Sequence, residues 1–221
     1  MKKLLLTAVM SFLYVTSASA DLGVNVGASA QLGVFSASGN ESDTGTSLKK
    51  DTGSETAAVG WGSVFLEVTM ADRVMVGIDY VPSALSSDTV TTAKSDMGVG
   101  AQAQTTVENK VQVDFEDLMT AYAGIMLTEN LYVKAGIVQV DVQTNETMAT
   151  GAKYADTDMD GSMVGIGYHN VLDNGIFFRV EGTYMDLGGL NLTSTGTAST
   201  SKVTINSLDG ASGKLSIGKS F

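Results

Sequence analysis

The chain has no cysteine, a single proline, one histidine, and no apolar run beyond its first residues that approaches a membrane helix in length. Without cysteine there is neither a disulfide framework nor the lipobox through which a lipid anchor is attached. With only His169 to draw on, any histidine-dependent chemistry must use that one side chain. Basic residues are also scarce: Lys and Arg number 13 against 24 Asp and Glu, for a formal charge of −11, which argues against nucleic acid as a partner. What the chain has in plenty is glycine, 25 residues, which with the scarcity of proline suits one all-β domain with no linker and no solenoid repeat.

Met1–Ala20 has the build of a secretory leader: Lys2 and Lys3, an apolar stretch from Leu4 to Val15, then Ala18-Ser19-Ala20 before Asp21. The expected division is a signal peptide over residues 1–20 and one domain over 21–221. Export removes two lysines and no acid, so the mature chain is more acidic still.

Strand-like stretches are joined alternately by long polar connections and by tight breaks. The long ones run over Ser36–Ala57, Ser83–Asn109, Gln143–Gly161 and Gly188–Ser201; the short ones are Ala71-Asp72-Arg73, Thr128-Glu129-Asn130 and Leu172–Gly175. All long connections then fall at one end of a sheet, the lopsided arrangement of an outer-membrane barrel. Period-two alternation marks eight strands, an even number. Leu22, Val24, Val26, Ala28, Ala30, Leu32 and Val34 form the cleanest apolar row. Val64–Met70, Val74–Tyr80, Met119–Leu127, Leu131–Ile137, Val164–Tyr168, Ile176–Tyr184 and Leu215–Phe221 supply the others, with Val111–Phe115 prolonging the fourth strand outward. Since lipid tolerates only closed barrels or helices, the expected fold is an all-β, eight-stranded antiparallel up-and-down transmembrane barrel.

The charged face decides which side is inward. Glu67, Asp79, Glu116, Lys134, Arg179, Glu181 and Lys214 all lie opposite the apolar rows, often beside glycine or serine. A soluble ligand carrier would turn such charges out to water; here they are expected to form ion pairs inside a narrow lumen, with interior water satisfying what the pairs leave over. Tyr80 and Tyr184 are placed at one aromatic girdle, Tyr168 and Phe221 at the other.

Leader, alternating strands, short turns and a terminal phenylalanine together resemble the small outer-membrane barrel family of the OmpA membrane domain, OmpX and the opacity-type surface proteins. The likeness covers the mature chain at the level of architecture. Its sharpest point is the last strand, where Leu215, Ile217 and Phe221 resemble the signal read by the barrel-assembly machinery; Lys219 stands where the family has an apolar residue. The resemblance implies a Gram-negative outer-membrane location, lipid and lipopolysaccharide as surroundings, a monomer, no cofactor, and a structural or surface-exposed role without catalysis. Alternatives are a narrow channel for small ions or solutes, and an adhesin or receptor whose outer loops bind an unknown surface ligand. Asp156-Thr157-Asp158-Met159-Asp160-Gly161 fits the first half of a calcium loop, but Gly167 occupies the position where the closing glutamate belongs, so an acidic solvated loop is the expectation.

Overall fold

The computed structural model describes residues 22–43, 50–71, 73–96, 103, 105–149, 151–195 and 201–221. The expected leader, Met1–Ala20, and the cleavage point before Asp21 lie outside these residues. Strands follow one another as β1 (Leu22–Asp43), β2 (Lys50–Met70), β3 (Val74–Tyr80), β4 (Leu85–Ser86), β5 (Val90–Asp96), β6 (Thr105–Met126), β7 (Leu131–Thr147), β8 (Thr157–Val171), β9 (Ile176–Leu187), β10 (Leu190–Thr193) and β11 (Ser201–Ser220). There is no helix among the described residues.

Pairing runs β1-β2-β3-β6-β7-β8-β9-β11 and returns from β11 to β1, so eight strands close an antiparallel up-and-down ring. The short β4 and β5 continue the course of β3 along β6, and β10 continues that of β9 along β11. At the seam of closure Phe221 N–H donates to the Val24 carbonyl at 2.9 Å, and Val24 N–H to the Phe221 carbonyl at 3.1 Å. The connections after β2, β6 and β8 are tight; in the last, Gly175 takes φ +79° and its N–H returns to Leu172 O at 2.8 Å, a left-handed conformation that suits glycine.

The strands are longer than the apolar rows suggest. Most of the expected loop Ser36–Ala57 is ladder: Ser36–Asp43 pairs with β11, and Ser36–Ser42 also with β2. Segment 83–109 likewise holds β4, β5 and the start of β6, while β7 runs to Thr147, β8 begins at Thr157 and β10 lies within 188–201. Deleting the whole of 36–57 or 83–109 would therefore remove barrel wall and not merely loop.

Along β8, β9 and β11 the sidedness of polarity inverts. On β9 the inward residues run Phe177, Arg179, Glu181, Thr183, Met185, Leu187, while the outward ones run Phe178, Val180, Gly182, Tyr184, Asp186. Neighbouring strands cross over at the same level: outward Ile166 and Val164 give way to Ser162, Asp160 and Asp158 on β8, and outward Ile217 and Leu215 to Asp209 on β11. Below the crossover apolar side chains point out and charges in. Above it a core closes around Trp61, Val81, Leu118, Val138, Val140, Val142, Met159, Met163, Met185, Leu187 and Leu190.

The lower lumen is filled to contact by pairing large side chains with glycine. A Cβ added at Gly77 would stand 2.7 Å from Tyr122 Oη and 2.8 Å from the Leu66 carbonyl, whereas one at Gly182, on the outward face, meets nothing within 4 Å. Gly77→Ala is therefore expected to destabilise the barrel by about 1–3 kcal/mol, the usual cost of overpacking. Gly182→Ala should be neutral or slightly stabilising; urea unfolding of the two variants in lipid vesicles measures the contrast.

Candidate functional site

Three acids and three bases meet across the lower lumen. Glu67 of β2, with 0% of its surface exposed, faces Arg179 of β9, with 3% exposed. Arg179 grips it with both arms of the guanidinium, Nη1 to Oε2 at 2.9 Å and Nη2 to Oε1 at 2.5 Å. Asn25 Nδ2 adds a bond to Oε1 at 2.8 Å and the Tyr122 hydroxyl one to Oε2 at 3.0 Å, so the carboxylate accepts four donors. Bidentate, charge-assisted bonds of this kind are what a buried ion pair needs to offset desolvation. The guanidinium is further enclosed by the rings of Phe177 at 4.8 Å, Phe65 at 5.4 Å and Tyr132 at 5.6 Å, which favour a cation at their faces.

The remaining charges form a chain. Lys134 of β7 pairs with Glu181 of β9, Lys214 of β11 pairs with Asp79 of β3, and Lys214 Nζ also lies 3.8 Å from Glu181 Oε2. Lys134 Nζ rests 4.6 Å from the centre of the Tyr122 ring, which joins this chain to the Glu67 pair. The Glu67–Arg179, Lys134–Glu181 and Lys214–Asp79 bridges span strands that are not neighbours in the ring, which is possible because glycines at positions such as 77, 165 and 167 leave the lumen clear for long side chains, whereas Lys214 and Glu181 face each other on adjacent β11 and β9. Acids and bases balance one for one. Where this layer meets the apolar core above it, the void bounded by Asp79, Lys134 and Lys214 on one side and Trp61, Leu118, Met163 and Met185 on the other is about 10 Å³. That is space for at most about one water.

Glu116 stands apart from the cluster. Asp117 has φ +51° and the β6–β7 register slips by one residue between Glu116 and Met119, so the parity that turns Leu118, Thr120 and Tyr122 inward is reversed beyond the bulge. Phe115 and Val113 face the core instead, and Glu116 Oε2 accepts from Gln143 Nε2 at 2.7 Å. At the same bulge the Tyr80 hydroxyl donates to Asp117 Oδ1 at 2.8 Å, and Tyr184 on the far side of the ring reaches Asp209 Oδ2 at 3.1 Å. Both phenol rings thus face outward with their hydroxyls turned to carboxylates at the crossover.

The acidic segment Asp156–Gly161 is largely strand, not loop. Asp158 and Asp160 point outward from β8 on either side of inward Met159, with Asp158 opposite Asp141 and Asp160 opposite Gln139. Carboxylates two residues apart on a strand are about 6.6 Å apart along it and do not converge on an ion. Asp156 accepts the Thr144 N–H at 3.3 Å, and no group of acids, histidines or cysteines is placed to hold a metal among the described residues. His169 sits near the tight β8–β9 turn with its ring edge-on to Phe177 at 4.9 Å. Leu215 and Ile217 point outward, and Phe221 lies at the closing seam with 76% exposure. Lys219 donates to the Asn174 carbonyl of the adjacent turn, so its charge is held at the rim of the barrel. Trp61 is inward and packs on Phe35 with ring centres 5.8 Å apart.

No family model and no curated protein matches the chain. Among solved structures it is similar to the outer-membrane protein OprG of Pseudomonas aeruginosa, at 14% identity over 88% of this chain and 96% of that one, with a TM-score of 0.43. It is also similar to Ail of Yersinia pestis, at 10% identity over 88% and 99% with a TM-score of 0.37, and to the protease OmpT of Escherichia coli, at 7% identity over 93% and 99% with a TM-score of 0.45. These neighbours include a protease as well as barrels not named as enzymes. The closed ring of eight antiparallel strands, apolar outside and charged within, gives this chain the fold of the small outer-membrane β-barrel proteins.

Proposed function

We propose that the chain is a Gram-negative outer-membrane barrel with a structural and surface-exposed role and no catalytic turnover, working as a monomer surrounded by lipid and lipopolysaccharide. The observation that carries this reading is the inversion of polarity. Outward apolar residues on β1 run from Leu22 to Val34, roughly 30 Å at a rise of about 3.3 Å per residue and a tilt of about 40°, close to the ~25 Å apolar band of such barrels. Water on both sides would favour an apolar core along the whole strand; a charged core inside an apolar belt is stable only where the belt meets hydrocarbon. The long strands then lift the polar outer segments clear of the membrane. The exposed last strand, with Leu215, Ile217 and Phe221, supports recognition by the barrel-assembly machinery. Nothing in the charge balance favours nucleic acid.

Migration on denaturing gels tests the assignment. Protein extracted from outer membranes with detergent should run as a compact band unheated and shift on boiling; recovery without detergent and a single unshifted band would contradict it. The channel reading is disfavoured by the ion-paired layer and its small void, so the wild-type barrel in a planar bilayer is expected to show no unitary conductance.

A further inference from the structure

Asn174-Gly175 is the one Asn-Gly step in the chain, and it lies in the tight connection between β8 and β9. Leu172, Asp173 and Asn174 are all exposed there. The turn is closed by Gly175 N–H to Leu172 O and by Leu172 N–H to Ile176 O, both at 2.8 Å, and Ser220 N–H to Gly175 O, also at 2.8 Å, holds β11 against it. The two Asp-Gly steps are placed differently. Gly161 is laddered to Val138 on one side and Leu187 on the other, and Gly210 to Phe35 and Met185, so both lie in continuous wall.

Two donors converge on the Asn174-Gly175 step. Asn174 Oδ1 accepts the Ile176 N–H at 3.0 Å, an Asx turn that wraps the side-chain amide around the intervening Gly175 peptide. A donor on that oxygen favours negative charge developing there when a nucleophile adds to Cγ. Lys219 of β11 donates to the Asn174 carbonyl, the oxygen of the same peptide bond whose nitrogen belongs to Gly175. An ammonium at that oxygen draws electron density out of the peptide and makes the Gly175 N–H a stronger acid. Glycine also leaves this nitrogen unshielded, since a Cβ at 175 would stand 2.9 Å from Ser220 O and 3.2 Å from Lys219 Nζ.

From this arrangement we infer that the β8–β9 turn is a self-modifying site, at which the Gly175 nitrogen attacks Asn174 Cγ with Lys219 and the Ile176 N–H as assisting donors. Attack follows local opening of the bond from Gly175 N–H to Leu172 O, a small event in an exposed turn whose flanking ladder stays closed. The Gly175 amide gives its proton to hydroxide, the N–Cγ bond forms, the Cγ–Nδ2 bond breaks, and ammonia leaves with a proton taken back from water. The product is a cyclic imide. Water opens it at one carbonyl to aspartate or at the other to isoaspartate, so water is the only co-reactant and nothing is oxidised or reduced. Aspartate sets a carboxylate beside the Lys219 ammonium; isoaspartate adds a methylene to the backbone of the turn. Nothing in this chemistry requires lipid, so it stands apart from the outer-membrane reading.

Trypsin releases the site on one fragment, Tyr154–Arg179, which also carries Asn170 before the branched Val171 as an internal reference. Folded protein in vesicles, its folding checked by the gel shift, is incubated in mildly alkaline buffer beside the same chain kept unfolded in urea, and the fragment is followed by mass spectrometry. Conversion is expected at Asn174, as aspartate and isoaspartate, with Asn170 left intact. Lys219→Gln should slow conversion in the folded protein by about tenfold, the loss of one charge-assisted hydrogen bond to the attacking peptide, and leave the rate in urea unchanged. Lys219→Arg, which keeps a cationic donor, should retain most of the folded rate. No conversion at Asn174 in the folded protein, a folded rate indifferent to Lys219→Gln, or an equal slowing in urea would each overturn the inference.

Discussion

Arg179→Ala is expected to lower the unfolding free energy by about 3–5 kcal/mol, read from the urea midpoint in lipid vesicles, because it leaves Glu67 charged, fully buried and without its bidentate partner. The two remaining donors, Asn25 and Tyr122, bring neutral hydrogen bonds but no compensating charge. The arithmetic of burial also predicts asymmetry. Replacing both members of the pair with leucine removes the stranded charge together with its counter-ion, so the double variant should recover most of what Arg179→Ala loses. Glu67→Gln should fall between them. A loss below about 1 kcal/mol for Arg179→Ala would mean that water reaches Glu67 freely and that the lower lumen is not the closed layer described here.

The second large effect concerns the outer face. Val180, 56% exposed, sits on β9 between Leu215 of β11 and Tyr168 of β8, in the middle of the apolar belt. Val180→Lys should cost about 2–4 kcal/mol in a bilayer, the penalty for a cation on the lipid face near the midplane. Asp186→Lys, on the same face but beyond Tyr184, should cost close to nothing. The pair isolates the environment from the strand, since both positions are outward on β9 and both are exposed. Equal effects at the two sites would remove the basis for a hydrocarbon boundary at the crossover.

The sequence is legible where one parity stays apolar and the other stays polar, as over Leu22–Val34 or Phe178–Tyr184, because alternation alone then fixes both strand and face. It is illegible beyond the crossover for the same reason. On β9 the apolar row passes from Phe178 and Val180 to Met185 and Leu187, so a row followed from below stops while the strand continues. On β1 and β2 the upper ladder is built from serine, glycine and threonine, which carry no apolar row at all, and segments read as loops are paired strands. Glu116 is misplaced by one residue of bulge at Asp117, which parity counting does not see. The other six charges fall on regular ladder between the tight turns and the bulge, where parity holds, and the structure brings all six together. The pairing of Glu67 with Arg179, Lys134 with Glu181 and Lys214 with Asp79 is beyond the sequence, since those bridges cross the lumen between strands that are not neighbours in the ring; only Lys214 and Glu181 face each other on adjacent strands.

A depth scan of β9 in the cysteine-free background shows whether its outward apolar row meets hydrocarbon. Single cysteines at Phe178, Val180, Tyr184 and Asp186 carry a spin label in bilayers, and collision with oxygen is compared with collision with a water-soluble nickel chelate. Oxygen-dominated relaxation is expected at 178 and 180, a balance near 184 and nickel-dominated relaxation at 186. Nickel-dominated relaxation at 178 and 180 would place the apolar belt in water and contradict the membrane reading.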